Sequence, residues 1–115
     1  MSEVIYVISP SAFIKIKEIT EKLKKINAIG YISTLGVSQA LKEKVDIDYS
    51  LDNGVRVRAF SHKPFKIGDL PLYESEAILL AKELDAILIA NDKRIEEEAR
   101  RENVKVIDVN SFLNS

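Results

Sequence analysis

The spacing of apolar residues changes along the chain, and each change predicts an element. Residues 4–8 are a β-branched run, read as a strand, and Ser9-Pro10-Ser11 follows with a hydroxyl cap and a proline suited to a first helical position. Ala12, Phe13, Ile16, Ile19, Leu23 and Ile26 then recur at spacings of three and four, with Lys15, Glu18, Lys22 and Lys25 between them. That pattern predicts an amphipathic helix of about four turns. Gly30 with Tyr31-Ile32-Ser33 predicts a second strand, and residues 37–44 a shorter helix.

In the middle of the chain the period becomes two. Val45, Ile47, Tyr49 and Leu51 alternate with Asp46, Asp48, Ser50 and Asp52, and Val55, Val57 and Ala59 alternate with Arg56, Arg58 and Phe60. Alternation of this kind predicts strands. A two-residue Asn53-Gly54 loop would set Leu51 against Arg56, whereas a three-residue loop, Asp52-Asn53-Gly54, sets Leu51 against Val55 and Asp48 against Arg58. The expectation is a β-hairpin over 45–60 with Gly54 in a left-handed bulged turn. From residue 73 the α/β pattern returns: a helix through 84, a strand at 86–90, a helix at 93–102 and a strand at 104–107. The predicted fold is α/β, a three-layer sandwich with a mainly parallel central sheet plus the hairpin, organised as one domain over 1–115.

Composition narrows the chemistry. With no Cys and one His, thiolate sites, disulfides and multi-histidine zinc sites are excluded, so any metal must be hard and oxygen-bound. The 17 Lys+Arg against 18 Asp+Glu exclude bulk attraction to polyanions and leave only a local basic patch. An acid at Glu3, where a leader needs bases, and the lack of long apolar runs predict a cytoplasmic protein with no membrane partner. Phosphate-binding loops, dinucleotide glycine motifs and His-Glu-x-x-His runs are all missing.

Ligands of open parallel sheets bind beyond the carboxyl ends of the strands, which points to Ser9-Pro10-Ser11 and Asn91-Asp92. Ser9 and Asp92 also read as helix caps, but Lys93 and Arg94 follow Asp92 with the wrong charge for a helix start, as partners of a phosphate or of the carboxylate. Glu74 lies on the stripe of Ala77, Ile78, Ala81 and Leu84 and is aimed inward, while Glu76 points nearly opposite, as a solvated first-turn acid.

The strand running into Ser9-Pro10-Ser11-Ala12-Phe13-Ile14, the run from Glu74 to Leu84, and Ala86-Ile87-Leu88-Ile89-Ala90-Asn91-Asp92-Lys93 together resemble a PIN domain. The resemblance covers residues 4–33 and 73–113 and leaves the hairpin region without a counterpart. It implies a metal-dependent ribonuclease fold, shared by toxin nucleases of toxin–antitoxin pairs and ribosomal-RNA processing enzymes, with Mg²⁺ or Mn²⁺ as cofactor. The acids it implies carry over as Asp92 after the fourth strand and Glu74 at the start of the later helix, with Glu76 beside it as a further metal candidate. Ser11 matches a hydroxyl position of the family and joins Glu74 and Asp92 as a catalytic candidate. The remaining two acidic positions are degenerate: Ser9 stands after the first strand and Gln39 in the second helix.

Neutral Ser and Gln hold hard cations poorly, so this pattern predicts a nuclease fold with lost or weakened catalysis that interacts with RNA or protein. The competing expectation is an active endoribonuclease using Glu74 and Asp92, with Ser9 or Asn91 supplying neutral oxygens. Nucleic-acid contacts are expected from Arg56, Arg58, Lys63, Lys66, Lys93 and Arg94, because Asn53 to Gly68 carries no acid and interleaves Phe60 and Phe65 with the bases. Two plainer explanations compete: Asp48 neutralising Arg58 across the hairpin, and phenylalanines that belong to the core. His62 reads as a loop histidine rather than a base. A homodimer built on the hairpin's outer strand is a third possibility.

Overall fold

The computed structural model describes residues 3–115. Five strands, β1 (Ile5–Ile8), β2 (Ile29–Ser33), β3 (Arg56–Arg58), β4 (Ile87–Ala90) and β5 (Lys105–Asp108), form one sheet in the order β3-β2-β1-β4-β5. Every pairing is parallel, with Val7 beside Tyr31 on one side and Leu88 on the other. The helices are α1 (Ile16–Lys25), α2 (Thr34–Lys42), α3 (Asp48–Asp52), α4 (Leu72–Leu84), α5 (Lys93–Arg101) and α6 (Val109–Leu113). Strand side chains alternate between two half-cores, which makes the three layers. Val7 and Leu88 meet Ile78, Leu80, Ile95 and Ala99 of α4 and α5 on one face. Ile8, Ile32 and Ile89 meet Phe13, Ile16, Ile19, Leu23 and Phe112 on the other. The α/β architecture with a parallel sheet is therefore as the alternation of strand and helix patterns implies.

The chain builds outward from β1 to β3 and then returns to place β4 on β1's other side. Strand order thus reverses between β1 and β4, and the carboxyl ends of these two strands flank the crevice where such sheets hold ligands.

Two expectations from the sequence need correction. The first helix is not continuous from Ser9: Pro10–Lys15 is a 3-10 helix, and α1 begins only at Ile16. A three-residue turn stacks Pro10, Phe13 and Ile16 on one face, and all three are buried, whereas Ile26 at the far end is 42% exposed.

The hairpin over 45–60 does not exist. Residues 48–52 are the helical turn α3, and β3 pairs parallel with β2, Ser33 beside Arg58. Asp46, Asp48 and Ser50 are poor strand formers whose side chains favour local turns, and the Asp46 carboxylate accepts the Asp48 backbone N–H at 2.9 Å. The buried pair at α3 is its cap residue Ile47 and Ser50, a helical spacing, and the Ser50 hydroxyl lies 2.7 Å from that of Thr20 in α1, whose own proton goes to the Ile16 carbonyl. Gly54 does take a positive φ of 98°, in the link from α3 to β3. Beyond the last expected strand, Asp108 caps α6 by accepting the Ser111 N–H at 3.2 Å, and Phe112 meets the Tyr6 ring edge-on at 5.0 Å.

Candidate functional site

Ser9 ends β1 and continues its ladder with β4, its N–H donating to the Ile89 carbonyl at 2.9 Å. Its hydroxyl caps the 3-10 helix by accepting the Ser11 N–H at 3.2 Å. The same hydroxyl donates to Glu74 Oε1 at 2.6 Å and lies 2.8 Å from the Ser11 hydroxyl, which accepts the Asn91 N–H at 3.0 Å. Because Ser9 Oγ gives its proton to Glu74, Ser11 is the donor to Ser9. One hydrogen-bonded chain, Asn91 to Ser11 to Ser9 to Glu74, therefore spans the crevice between the ends of β1 and β4.

Glu74 sits in the first turn of α4 and is only 6% exposed. Burial pushes its carboxyl up from 4.5 to about 7; the Ser9 hydrogen bond opposes this, and the negative charges of Asp92 and Glu43 add to it. Glu43, at the end of α2, lines an open cleft of about 430 Å³ together with Ser11, Phe13, Tyr73 and Glu74. Glu43, not singled out by the sequence, lines this cleft with Glu74, whereas Gln39 does not. Gln39 donates its amide to the Glu43 carboxylate and lines the neighbouring groove with Leu72 and Tyr73 instead. The signal was present, since residues four apart share a helix face.

Asp92 caps α5. One carboxylate oxygen accepts the Arg94 N–H at 2.8 Å and the other meets the Arg94 guanidinium at 3.3 Å, which holds the Asp92 carboxyl below the usual range. Of the two cations after Asp92, then, Arg94 serves the carboxylate, while Lys93 is exposed and has no ion-pair partner among the described residues. Arg56 and Arg58 lie exposed on β3, and Lys63 and Lys66 on the connection to α4. Two strands separate Arg56 and Arg58 from Lys93 and Arg94, whereas the connection carrying Lys63 and Lys66 runs on to α5, where Gly68 lies against Glu98 and Leu70 lines a groove with Arg94.

Glu76 is not the solvated acid its helical angle implied; it is 2% exposed. Residues 74–81 are buried all round, because α4 is held between the sheet and α2. The Glu76 carboxylate accepts the Leu35 N–H at 2.8 Å and the Thr34 hydroxyl at 3.0 Å, tying down the N-terminus of α2 beside Ser33, whose hydroxyl accepts the Gly36 N–H at 3.1 Å. Removing that acceptor leaves orphan donors at a helix start. Glu76→Ala is expected to cost about 3 kcal/mol in urea denaturation, with Glu76→Gln losing about half as much because its amide oxygen still accepts. A loss within the range of an ordinary surface substitution, about 0.5 kcal/mol, would contradict this role.

Among the described residues no three His, Asp or Glu side chains converge in a metal-ligating group. No helix among them is long and apolar enough to cross a membrane. No protein-family model matches the chain, and no curated protein does. Among solved structures, the chain is similar to a PilT N-terminus domain protein of the hyperthermophilic archaeon Sulfolobus solfataricus, with 51% identity and a TM-score of 0.86 over 96% of this chain and 92% of that one. It shares the fold of a domain of a functionally unknown Methanocaldococcus jannaschii protein, with 14% identity and a TM-score of 0.60 over 92% of this chain and 91% of that one. A Pyrobaculum aerophilum protein likewise matches at 15% identity and a TM-score of 0.62, over 96% and 93% of the two chains. With half its residues identical to the Sulfolobus protein across nearly the whole of both chains, this chain belongs to the PilT N-terminus (PIN) domain family, whose members are in general metal-dependent nucleases.

Proposed function

We propose that the chain is a PIN-fold module with a weakened metal site, which contacts RNA without cleaving it efficiently. The observation that carries this reading is the buried hydrogen bond of 2.6 Å from the Ser9 hydroxyl to Glu74. At the position after β1 where the family pattern implies an acid, a neutral hydroxyl instead points its proton at the next carboxylate. A divalent cation such as Mg²⁺ or Mn²⁺ would supply an activated water and neutralise charge developing on the phosphate, and it needs carboxylate oxygens to hold it. Here Glu74 takes the Ser9 proton on Oε1 and its carboxyl is pushed up to about 7, Asp92 is bound to Arg94, Glu76 to the start of α2, and Glu43 across the cleft to the Gln39 amide. That donor set does not fit a tightly held ion. The residues of the crevice instead bind one another, through the hydrogen-bonded chain from Asn91 to Glu74.

A second reading, an active endoribonuclease using Glu74, Asp92 and Ser11, is favoured by one feature: Glu43 and Glu74 line the same cleft, and Asp92 is near enough to raise the Glu74 carboxyl. Thermal melting with and without millimolar Mn²⁺ separates the two. The first reading expects an unmoved midpoint and intact RNA. A midpoint raised by Mn²⁺ in the wild type but not in Asp92→Asn, with RNA degradation that Glu74→Gln abolishes, establishes the second.

A further inference from the structure

Charge is unevenly distributed on the sheet's β3 edge. The stretch from Asn53 to Gly68 holds Arg56, Arg58, His62, Lys63 and Lys66 and no acid, in a protein whose net charge is −1. The structure removes one plain explanation for this stretch and half of the other. With no hairpin, Asp48 lies in α3 rather than across from Arg58, and no ion pair joins Arg56, Arg58, Lys63 or Lys66 to an acid among the described residues. Phe65 is not core but 57% exposed, although Phe60 does pack against the half-core of α4. Two acids reach the segment and both are engaged: Glu83 of α4 is bound to the backbone and hydroxyl of Ser61, and Glu98 of α5, which lies against Gly68, is paired with Arg101. Two of these side chains stand beside aromatic rings: the Arg58 guanidinium lies 5.9 Å from the Tyr31 ring centroid, and His62 meets Phe60 edge-on at 5.7 Å.

We propose that β3 and the connection through Lys66 form a docking strip for single-stranded RNA that works without metal and apart from the cleft at Glu74. Unpaired cations match phosphates, and an exposed phenylalanine beside them offers a stacking platform that only unpaired bases can use. A second copy of the chain is a poor occupant, because two-fold pairing along the free side of β3 would set Arg56 and Arg58 against themselves. The proposal rests on the reading that the chain contacts RNA, and not on the weakness of its metal site.

The test is fluorescence anisotropy of a short labelled oligouridylate with the full chain in EDTA, across a salt series. Arg58→Ser/Lys63→Ser/Lys66→Ser is expected to weaken binding at least tenfold at low salt and to flatten the salt dependence by a slope of about 2, the share of three phosphate contacts on a single strand. Phe65→Ala is expected to weaken binding about tenfold at every salt concentration and leave the slope unchanged. A matched triple on other exposed lysines, Lys17→Ser/Lys25→Ser/Lys105→Ser, is expected to bind as the wild type does. All these positions are exposed, so melting midpoints should match and folding does not confound the comparison.

The strip is overturned if its variants bind like wild type, if the control triple weakens binding equally, or if duplex RNA binds as well as the single strand. Competition by polyglutamate as effective as by oligouridylate also overturns it, in favour of an acidic protein partner. Wild type that fails to bind RNA overturns the strip and leaves the metal reading intact. Wild type that binds through the strip yet cleaves with Mn²⁺ upholds the strip and removes the weakened site.

Discussion

Ser9→Asp is expected to lower the melting midpoint at pH 8 by roughly 10 °C or more, and to make the protein respond to Mn²⁺. Ser9 is fully buried, and its hydroxyl is 2.6 Å from the Glu74 carboxylate. Substitution exchanges a donor for a second carboxylate at a distance where two like charges cannot both ionise. An uncompensated buried charge costs about 3–5 kcal/mol, and in a domain of this size each kcal/mol moves the midpoint by about 4 °C. At pH 5 one proton can be shared between the two groups, so the deficit should shrink. Millimolar Mn²⁺ should recover much of the loss, because the same two carboxylates are now an oxygen-ligand pair. Melting curves at both pH values, with and without Mn²⁺, check this. A variant as stable as wild type at pH 8 and indifferent to Mn²⁺ would show that Ser9 does not stand in for an acid.

Glu74→Gln is expected to stabilise the protein at high pH and to leave it nearly unchanged at low pH. The Glu74 carboxyl is raised from 4.5 to about 7, so the native state holds its proton more tightly than the unfolded chain does. Stability contributed by this group is therefore greatest below the unfolded value and is lost as pH rises through the window from 4.5 to about 7. At about 1.4 kcal/mol per unit, the full loss above that window is about 3 kcal/mol. Glutamine cannot ionise, and its amide oxygen can still accept from Ser9, so the variant escapes this loss. Urea denaturation should show a gain of up to about 3 kcal/mol at pH 8 that fades below about pH 4.5. A gain independent of pH, or a loss at pH 8, would contradict the assignment.

Much of this architecture is legible from residue spacing. The β-branched runs that become β1, β2 and β4, and the amphipathic stretches of α1 and α5, obey the periods of buried strands and two-faced helices. The misreadings share a cause. A period states which residues lie on one side of an element and not what stands opposite. Glu76 was assigned to water by its angle from Glu74, yet five consecutive apolar residues, Ala77 to Ala81, already marked a helix covered on every side. Alternation over 45–52 pointed to a strand because it ignored the local hydrogen bonding of Asp46 and Asp48, and Ile47 and Ser50 obey a helical spacing equally well. At the site, Glu74 and Ser9 could be named from the chain alone. Their contact depends on α4 crossing the end of β1, which residue spacing does not specify.

In the proposed reading, Ser9 bound to Glu74 takes the place of an ion. Electron paramagnetic resonance of Mn²⁺ titrated into wild-type protein at pH 8 tests it most directly, because aqueous Mn²⁺ gives a sharp signal that is lost on binding. The expected result is a signal that tracks added Mn²⁺ up to millimolar concentrations in wild type, and a stoichiometric loss in Ser9→Asp. A stoichiometric loss in wild type at micromolar Mn²⁺ that Glu74→Gln restores would contradict it.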